Sequence, residues 1–365
     1  MVSTLHKGKI DKALFLTVFI IGVFGIVMIY SASSIWAEYK YQDAFKFVKA
    51  QSVFFILGLF LCYFISKIQS EFWFKHANKI LFGCFILLIL VLIPGIGTIR
   101  NGSRSWFGIG GFGVQPSEFA KIGLIIFTSK YLSQNRKELR SIKKGVLPIL
   151  GVILLFFLLI MLEPDFGTAM VIALTLISLI FISGVQFSFF VKVGLLGLSG
   201  IVLLIIIAPY RMARIVSFLN PWSDPLGSGF QIIQSLYAIG PGGLLGQGFM
   251  NSHQKHFYLP EPQTDFIFAI ISEEFGFLGV LIVVSFFFFL FYRSIKIALR
   301  TSLLFDKFLV FGLAIGILIQ AALNLCVVIG LIPVTGVTLP FFSYGGSSLL
   351  VTMASIGIIL SISKK

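Results

Sequence analysis

The sequence predicts an all-α integral membrane protein with about ten transmembrane helices. Of its 365 residues, 58% are hydrophobic and only 12% are charged, about half the charged fraction of a soluble domain. Apolar runs of about 20 residues, the length that crosses ~30 Å of hydrocarbon, recur along the chain. The basic residues behind the net charge of +14 gather between these runs. That placement is typical of membrane topology and argues against a nucleic-acid partner.

The ten predicted spans follow the apolar runs in chain order. The first run comes after three lysines and could be taken for a signal peptide, but it is too long for one and many similar runs follow. It is therefore predicted to be a retained helix in a single membrane domain covering residues 1–365. The predicted spans are 13–32, 47–66, 79–96, 116–132, 146–162, 167–184, 189–208, 266–292, 308–332 and 337–361.

The loop charges predict the orientation of these spans. If the N-terminus is cytoplasmic, 18 Lys and Arg residues fall on the cytoplasmic side and 8 on the outer side. The positive-inside rule then places both termini in the cytoplasm. The long segments, about 95–115 and 209–265, lie outside, and loops of this length are usually functional. Within the second, residues 229–239 have helical spacing and predict a short helix at the outer interface.

Several ionisable residues lie in or beside the predicted spans, where charge is costly and function is the default hypothesis. Glu118 and Lys121 are three residues apart and share one face of the fourth span. A structural ion pair and a catalytic role are both open for them. Glu163 and Asp165 flank Pro164 at an outer helix break, where a solvated turn is the alternative.

The mouth of the eighth span carries a further acidic residue. Asp265 comes directly before the span, so it is either an N-cap or a functional carboxylate. Glu273 and Glu274 follow about two turns further in. The nearby His253 and His256 lie in a loop without an obvious third ligand, which favours exposed histidines over a metal site.

Five long motifs, in order and in spacing, resemble the SEDS family (shape, elongation, division and sporulation) across nearly the whole chain. Within the family, the division and sporulation branch is the better match and the elongation branch is the alternative. The motifs are GSRSWFGIGGFGVQPSEFAK (102–121), EPDFGTAMV (163–171), NPWSDPLGSGFQIIQSLYAIGPGGLLGQG (220–248), NSHQKHFYLPEPQTDFIFAIISEEFGFLG (251–279) and TLPFFSYGGSS (338–348).

This resemblance implies a fold and an activity. It implies ten transmembrane helices with a large outer loop between the seventh and eighth, in a bacterial cytoplasmic membrane. It implies polymerisation of lipid II into glycan strands, with a class B penicillin-binding protein, a transpeptidase, as partner. The family's catalytic aspartate lies in the motif PExxTDFIF, which places it at Asp265.

The implied reaction needs a base for the incoming sugar hydroxyl and positive charge for the departing pyrophosphate. Asp265 is the predicted base; alternatively it holds a divalent cation, Mg²⁺ or Mn²⁺, that bridges the pyrophosphate. No organic cofactor is expected. Glu118, Lys121 and Asp165 are supporting candidates, and Lys121 either pairs with Glu118 or binds phosphate. The predicted pyrophosphate ligands, with lipid headgroup contact as the alternative, are Arg100, Arg104, Arg211 and Arg214.

Two other functions fit a protein of this kind. A lipid II flippase would carry polar groups along a path through the midplane, whereas the charges here collect near the outer face. A scaffold that only recruits the transpeptidase would tolerate loss of Asp265. The expected partners are therefore lipid II, the growing glycan strand, the transpeptidase and membrane lipid.

Overall fold

A computed structural model describes residues 8–100, 102–109, 112–207 and 209–365. Within these residues the chain forms helices that correspond to all ten predicted spans, two further helices and a small sheet. The helices are α1 (Lys12–Tyr41), α2 (Lys46–Ile65), α3 (Ser70–Leu92), α4 (Pro116–Gln134), α5 (Leu147–Leu162), α6 (Phe166–Ile182), α7 (Phe187–Ile207), α8 (Pro209–Leu219), α9 (Phe230–Gly242), α10 (Ile267–Arg300), α11 (Leu304–Val328) and α12 (Gly346–Ile362).

The helices have the length and composition of a multi-pass membrane protein, as predicted. In the described part of the chain, six helical segments are long and apolar enough to cross a membrane, and they contain α1, α2, α3, α5, α10 and α11. Three shorter apolar segments cover 166–182, 187–200 and 346–362. Helix α4 carries Glu118, Lys121 and Lys130, so it is more polar than the other helices that correspond to predicted spans.

Four predicted spans differ from their helices by eight or nine residues at one end. Helix α1 continues to Tyr41 and not to 32, and α10 continues to Arg300 and not to 292. The third span begins at Ser70, nine residues before the predicted start, because Glu71 and Lys75 lie in its first turns without ending it. The tenth begins only at Gly346. Residues 337–345 are irregular, since the Ser343 hydroxyl accepts a hydrogen bond from the Leu339 amide (2.8 Å) and closes a turn there.

The segment between α3 and α4 forms a three-stranded antiparallel sheet that the sequence did not predict. Its strands, in sheet order, are β1 (Thr98–Arg100), β2 (Ser103–Ile109) and β3 (Phe112–Val114). Gly102 makes the tight turn between β1 and β2 with a φ of +80°. The sheet reaches the start of α12, because Ser347 donates a hydrogen bond to the Gly113 carbonyl (2.7 Å).

The predicted outer loop, 209–265, contains α8 and α9. Helix α9 matches the short helix predicted over 229–239. It packs against α10 and contacts α11, where Ser235 donates a hydrogen bond to the Val328 carbonyl (2.7 Å). The loop is therefore folded against the helix bundle.

Helix α11 is at the centre of the bundle and packs against α4, α6, α10 and α12. Helix α7 is at the edge, with most of its leucines exposed. Both ends of the described chain meet at one end of the bundle, where the Gly8 amide donates to the Lys364 carbonyl (3.0 Å). The sheet and the start of α12 lie at the opposite end.

Candidate active site

Asp265 lies at the sheet end of the bundle, two residues before α10. The cap interpretation is wrong, because Phe266 occupies the N-cap position and makes no side-chain cap. The Asp265 backbone is fixed instead: its carbonyl accepts a hydrogen bond from the Asn324 side chain (2.7 Å), which also donates to the Val337 carbonyl (2.7 Å). The Asp265 carboxylate is half-buried and forms no hydrogen bond with any described residue. It is held in place but open for a ligand.

The irregular segment before α12 supports the same turn. Ser343 donates a hydrogen bond to the Thr264 carbonyl (2.6 Å), and the Tyr344 amide donates to the Gln263 carbonyl (2.8 Å). Gln51 of α2 in turn donates to the Ser343 carbonyl (3.2 Å). Residues 263–265 are thus attached to α11 and to the segment 337–345, which α2 supports in turn, and these contacts fix the backbone that carries the carboxylate.

The surroundings of Asp265 raise the pKa of its carboxyl to about 6. Burial is the largest cause, because desolvation disfavours the charged form. The nearby negative charge of Glu261 adds to this effect, Arg214 opposes it, and Asp165 raises the pKa further. A carboxylate with this pKa is ionised at neutral pH and is more basic than an ordinary aspartate, which suits a general base.

Asp165 is the N-cap of α6 and lies near Asp265. Its carboxylate accepts hydrogen bonds from the Thr168 amide (3.1 Å) and from the Gln115 side chain (2.7 Å). Burial raises its pKa, and the negative charge of Glu118 contributes in the same direction. Because its oxygens already have donors, Asp165 is less available to a substrate than Asp265.

Glu118 and Lys121 form a buried ion pair on α4, with Nζ of Lys121 2.7 Å from Oε2 of Glu118. Lys121 also donates to Oε1 of Gln320 on α11 (2.6 Å). Gln320 in turn donates to the Thr338 carbonyl (3.1 Å), and the Thr338 hydroxyl is 3.2 Å from that of Ser348. The pair therefore begins a chain of polar contacts that ends beside the segment supporting Asp265.

The structure separates the four candidate arginines. Arg214 on α8 donates to the Val334 carbonyl (2.9 Å) and is close enough to Asp265 to affect its pKa. Arg104 in β2 instead contacts the Leu92 carbonyl at the end of α3 (3.5 Å). Arg100 lies at the end of β1 and Arg211 in α8, but their side chains are outside what the structure describes. Arg214 is thus the arginine that the described contacts bring to the site.

A second buried charge cluster lies further along α10. Glu274 pairs with Lys255 of the outer loop, Oε1 to Nζ 3.0 Å, and accepts a hydrogen bond from Ser31 of α1 (2.5 Å). Glu273 accepts hydrogen bonds from the Ser252 hydroxyl (2.5 Å) and the His253 amide (2.7 Å). These contacts fasten the outer loop to the bundle.

The second cluster sits at a break in α10. Gly276 interrupts the helix with a φ of +59°, which an L-residue with a side chain rarely adopts. The backbone groups freed there pair with the glycine-rich loop: the Gly248 amide donates to the Glu274 carbonyl (3.0 Å), and the Phe277 amide donates to the Gly243 carbonyl (2.9 Å). The glycines of motif 220–248 therefore serve close backbone packing.

Glu163 is fully buried beside Asp165, and its two carboxyl oxygens have no partner among the described residues. Burial, and then the charge of Asp165, raise the pKa of Glu163 to about 9. It is consequently protonated at neutral pH. The alternative of a solvated turn is wrong for Glu163, although Pro164 is exposed.

The described residues contain no group of three His, Cys, Asp or Glu side chains arranged to enclose a metal ion. Mg²⁺, however, usually binds through one or two carboxylates together with substrate phosphates and several waters. The free carboxylate of Asp265 fits that pattern, whereas the occupied carboxylate of Asp165 fits it less well. The donor set is therefore compatible with a cation shared with a pyrophosphate.

Sequence reasoning missed most of the residues that support the site. Gln320 and Asn324 are polar residues four apart in the apolar run of α11, and that pattern alone could have drawn attention to them. Lys255 lies in the segment predicted to be outside, 209–265, and no pattern in the sequence indicates that it is buried. No local signal identifies the role of Ser343, because its partners are distant in sequence.

The fold and this site define a polytopic membrane protein with a half-buried carboxylate, free of hydrogen bonds from the described residues, at one end of its helix bundle. The model of the cell cycle protein family that comprises FtsW, RodA and SpoVE matches residues 11–365. The chain belongs to this family, which is the SEDS family.

Individual relatives agree with the family assignment. The chain is 50% identical to stage V sporulation protein E of Bacillus subtilis, over 99% of both proteins. It is 42% identical to the probable peptidoglycan glycosyltransferase FtsW of Trichlorobacter lovleyi, over 98% of this chain and 93% of the relative.

Solved structures share the fold. A chain of the structure described as "Structural coordination of polymerization and crosslinking by a peptidoglycan synthase complex" superposes with a TM-score of 0.79 at 32% identity and 97% coverage of each chain. The rod shape determining protein RodA of Thermus thermophilus superposes with a TM-score of 0.72 at 30% identity, over 97% of this chain and 96% of RodA.

Proposed function

We propose that this chain is the peptidoglycan glycosyltransferase that polymerises lipid II at the outer face of the cytoplasmic membrane during division or sporulation septum synthesis. The observation that carries the proposal is the Asp265 carboxylate, fixed through its backbone, free of hydrogen bonds from the described residues, and with a pKa raised to about 6. Relatives named as probable peptidoglycan glycosyltransferases and as a sporulation protein support the reaction and its setting.

The reaction proposed for this site is a single in-line displacement with inversion. The 4-hydroxyl of one sugar attacks the anomeric carbon of another and gives its proton to the Asp265 carboxylate. The new bond joins that oxygen to the anomeric carbon, and the bond to undecaprenyl pyrophosphate breaks. The pyrophosphate leaves with the bonding electron pair, so charge builds up on it as the reaction proceeds.

Positive charge near Asp265 would stabilise that leaving group. Arg214 is close enough to Asp265 for its charge to lower the pKa of that carboxyl. Its guanidinium can bind two phosphate oxygens at once. Arg100, Arg104 and Arg211 remain candidates of the same kind. Alternatively to its role as the base, Asp265 would hold a divalent cation, Mg²⁺ or Mn²⁺, which would supply neutralising charge for the pyrophosphate.

Glu118, Lys121 and Asp165 are proposed to position the site. Lys121 is already paired with Glu118 and bonded to Gln320, which connects it to the segment around Asp265. Asp165 fixes the start of α6 and adds negative charge near Asp265. These contacts support a positioning role better than direct contact with phosphate.

The orientation proposed for the chain puts both termini in the cytoplasm and the Asp265 end outside. The excess of basic residues at the terminal end supports this direction through the positive-inside rule. The substrates then reach the site from the outer leaflet. A class B penicillin-binding protein is the proposed partner, and the similarity to a chain from a peptidoglycan synthase complex supports it.

The test is polymerisation by the purified chain together with its cognate transpeptidase, lipid II and Mg²⁺. Glycan polymer resolved on a gel is the expected result. Transfer of labelled lipid II across vesicle membranes without any polymer would instead favour a flippase. Neither polymer nor transfer by a folded complex would favour a scaffold.

A further inference from the structure

A basic cavity lies at the terminal end of the bundle, opposite Asp265. Its volume is about 520 Å³, and its walls come from the segment before and at the start of α1, the end of α10 and the end of α12. Asp11 is the acidic side chain in these walls. Six basic side chains line the cavity: Lys9, Lys12, Arg293, Arg300, Lys364 and Lys365.

Half of these cations have no partner in the described chain. Lys9, Lys12 and Arg300 are exposed and form no ion pair or hydrogen bond with the residues that the structure describes. They come from two segments that are distant in sequence. Like charges brought together in this way repel each other, which an anion between them would relieve.

The other three cations that line the cavity are anchored by partners. Arg293 pairs with Asp11, Nη2 to Oδ2 2.6 Å, and Lys365 pairs with the buried Asp306 (2.7 Å). Lys364 donates to the Ser66 carbonyl (2.7 Å). The Nε of Arg293 is buried without a hydrogen-bond partner among the described residues. An unsatisfied buried donor beside a cationic cavity indicates a missing acceptor.

Basic residues near membrane helix ends are common, because they follow from topology and stabilise helix C-termini. That explanation accounts for Lys143 and Lys144, which are exposed in the turn before α5. It does not account for six cations that converge on one cavity from three segments. Basic pockets between transmembrane helices on the cytoplasmic side are a recognised form of lipid headgroup site.

The neighbouring apolar surface favours a lipid over a free ion. Leu16 of α1 lies one turn from Lys12 and is 56% exposed, and Leu299 next to Arg300 is 74% exposed. A phospholipid whose phosphate is held in the cavity would therefore have its acyl chains beside exposed leucines. We propose that the basic cavity binds the phosphate of an anionic phospholipid, with phosphatidylglycerol as the probe.

The experiment compares two triple variants of the full chain that lose the same charge. The cavity variant is Lys9→Gln/Lys12→Gln/Arg300→Gln, and the control is Lys137→Gln/Lys143→Gln/Lys144→Gln from the exposed segment before α5. Native mass spectrometry counts phosphatidylglycerol bound to each protein in detergent, with phosphatidylcholine as the neutral lipid. Equal thermal unfolding midpoints in phosphatidylcholine confirm that both variants fold.

The expected result is a half-saturating phosphatidylglycerol concentration at least about tenfold higher for the cavity variant, since three cations that attract the lipid phosphate are lost. The control should stay within about twofold of wild type. Equal weakening in both variants, or none in either, would overturn the proposal. So would binding of inorganic phosphate alone that matches the lipid and is lost in the cavity variant, because the site would then serve a soluble ion.

Discussion

Two buried lysine–glutamate pairs in this protein look alike but serve different regions. In each, Nζ lies 2.7–3.0 Å from a carboxylate oxygen and both side chains are less than a tenth exposed. Lys255–Glu274 joins the outer loop to α10 and α1. Glu118–Lys121 lies within α4 and continues through Gln320 towards the segment beside Asp265. Burial of a charge pair does not by itself reveal function; the contacts beyond the pair do.

The largest effect is expected from breaking the loop pair. Lys255→Met removes the ion-pair partner of the buried Glu274, which typically costs about 3–5 kcal/mol of unfolding free energy. Thermal unfolding in detergent should show a strongly lowered midpoint. The double variant Lys255→Met/Glu274→Gln should recover most of the stability and, with it, polymer formation. A single variant as stable as wild type would contradict a structural role.

The α4 pair should respond differently when both charges are removed. Glu118→Gln/Lys121→Met leaves no unpaired charge, so its unfolding midpoint should fall much less than that of Lys255→Met. Its polymerisation rate should nevertheless fall by about tenfold to a hundredfold, because Gln320 loses its donor and small misplacements near a reacting group are costly. Full activity in this folded variant would place the pair in the same structural class as Lys255–Glu274.

These pairs also show what the sequence could and could not predict. The ten spans were predictable because lipid demands long apolar runs. An ion pair between Glu118 and Lys121 was one of two alternatives open from the sequence, because the two residues share a helix face. The partners of Lys255 were not predictable, since Ser31 and Glu274 are distant from it in sequence. The three-residue strands β1 and β3 and the break at Gly276 were likewise not predictable. They depend on tertiary contacts that leave little pattern in the local sequence.

A smaller effect is expected on the pH dependence of the reaction. If ionised Asp265 is the base, polymerisation should rise with pH and be half-maximal near pH 6. Glu261 raises the pKa of Asp265, so Glu261→Gln should move this midpoint to lower pH. Arg214 lowers that pKa, so Arg214→Gln should move the midpoint to higher pH.

Initial polymerisation rates between pH 5 and 8 would measure both shifts. The position of the midpoint is the readout, because a change in rate alone could come from weaker substrate binding by the Arg214 variant. A flat profile, or shifts of the same sign in the two variants, would remove Asp265 as the titrating group.

The most direct test of the account is polymer formation by Asp265→Asn, purified with the transpeptidase and given lipid II and Mg²⁺. Asparagine keeps the size of the side chain but cannot accept the proton, so the rate should fall by about 10²–10⁴-fold. The matched control is Asp43→Asn, which removes an exposed aspartate paired with Lys49 and should keep nearly full activity. A folded Asp265→Asn variant that polymerises lipid II at the wild-type rate would contradict the central claim.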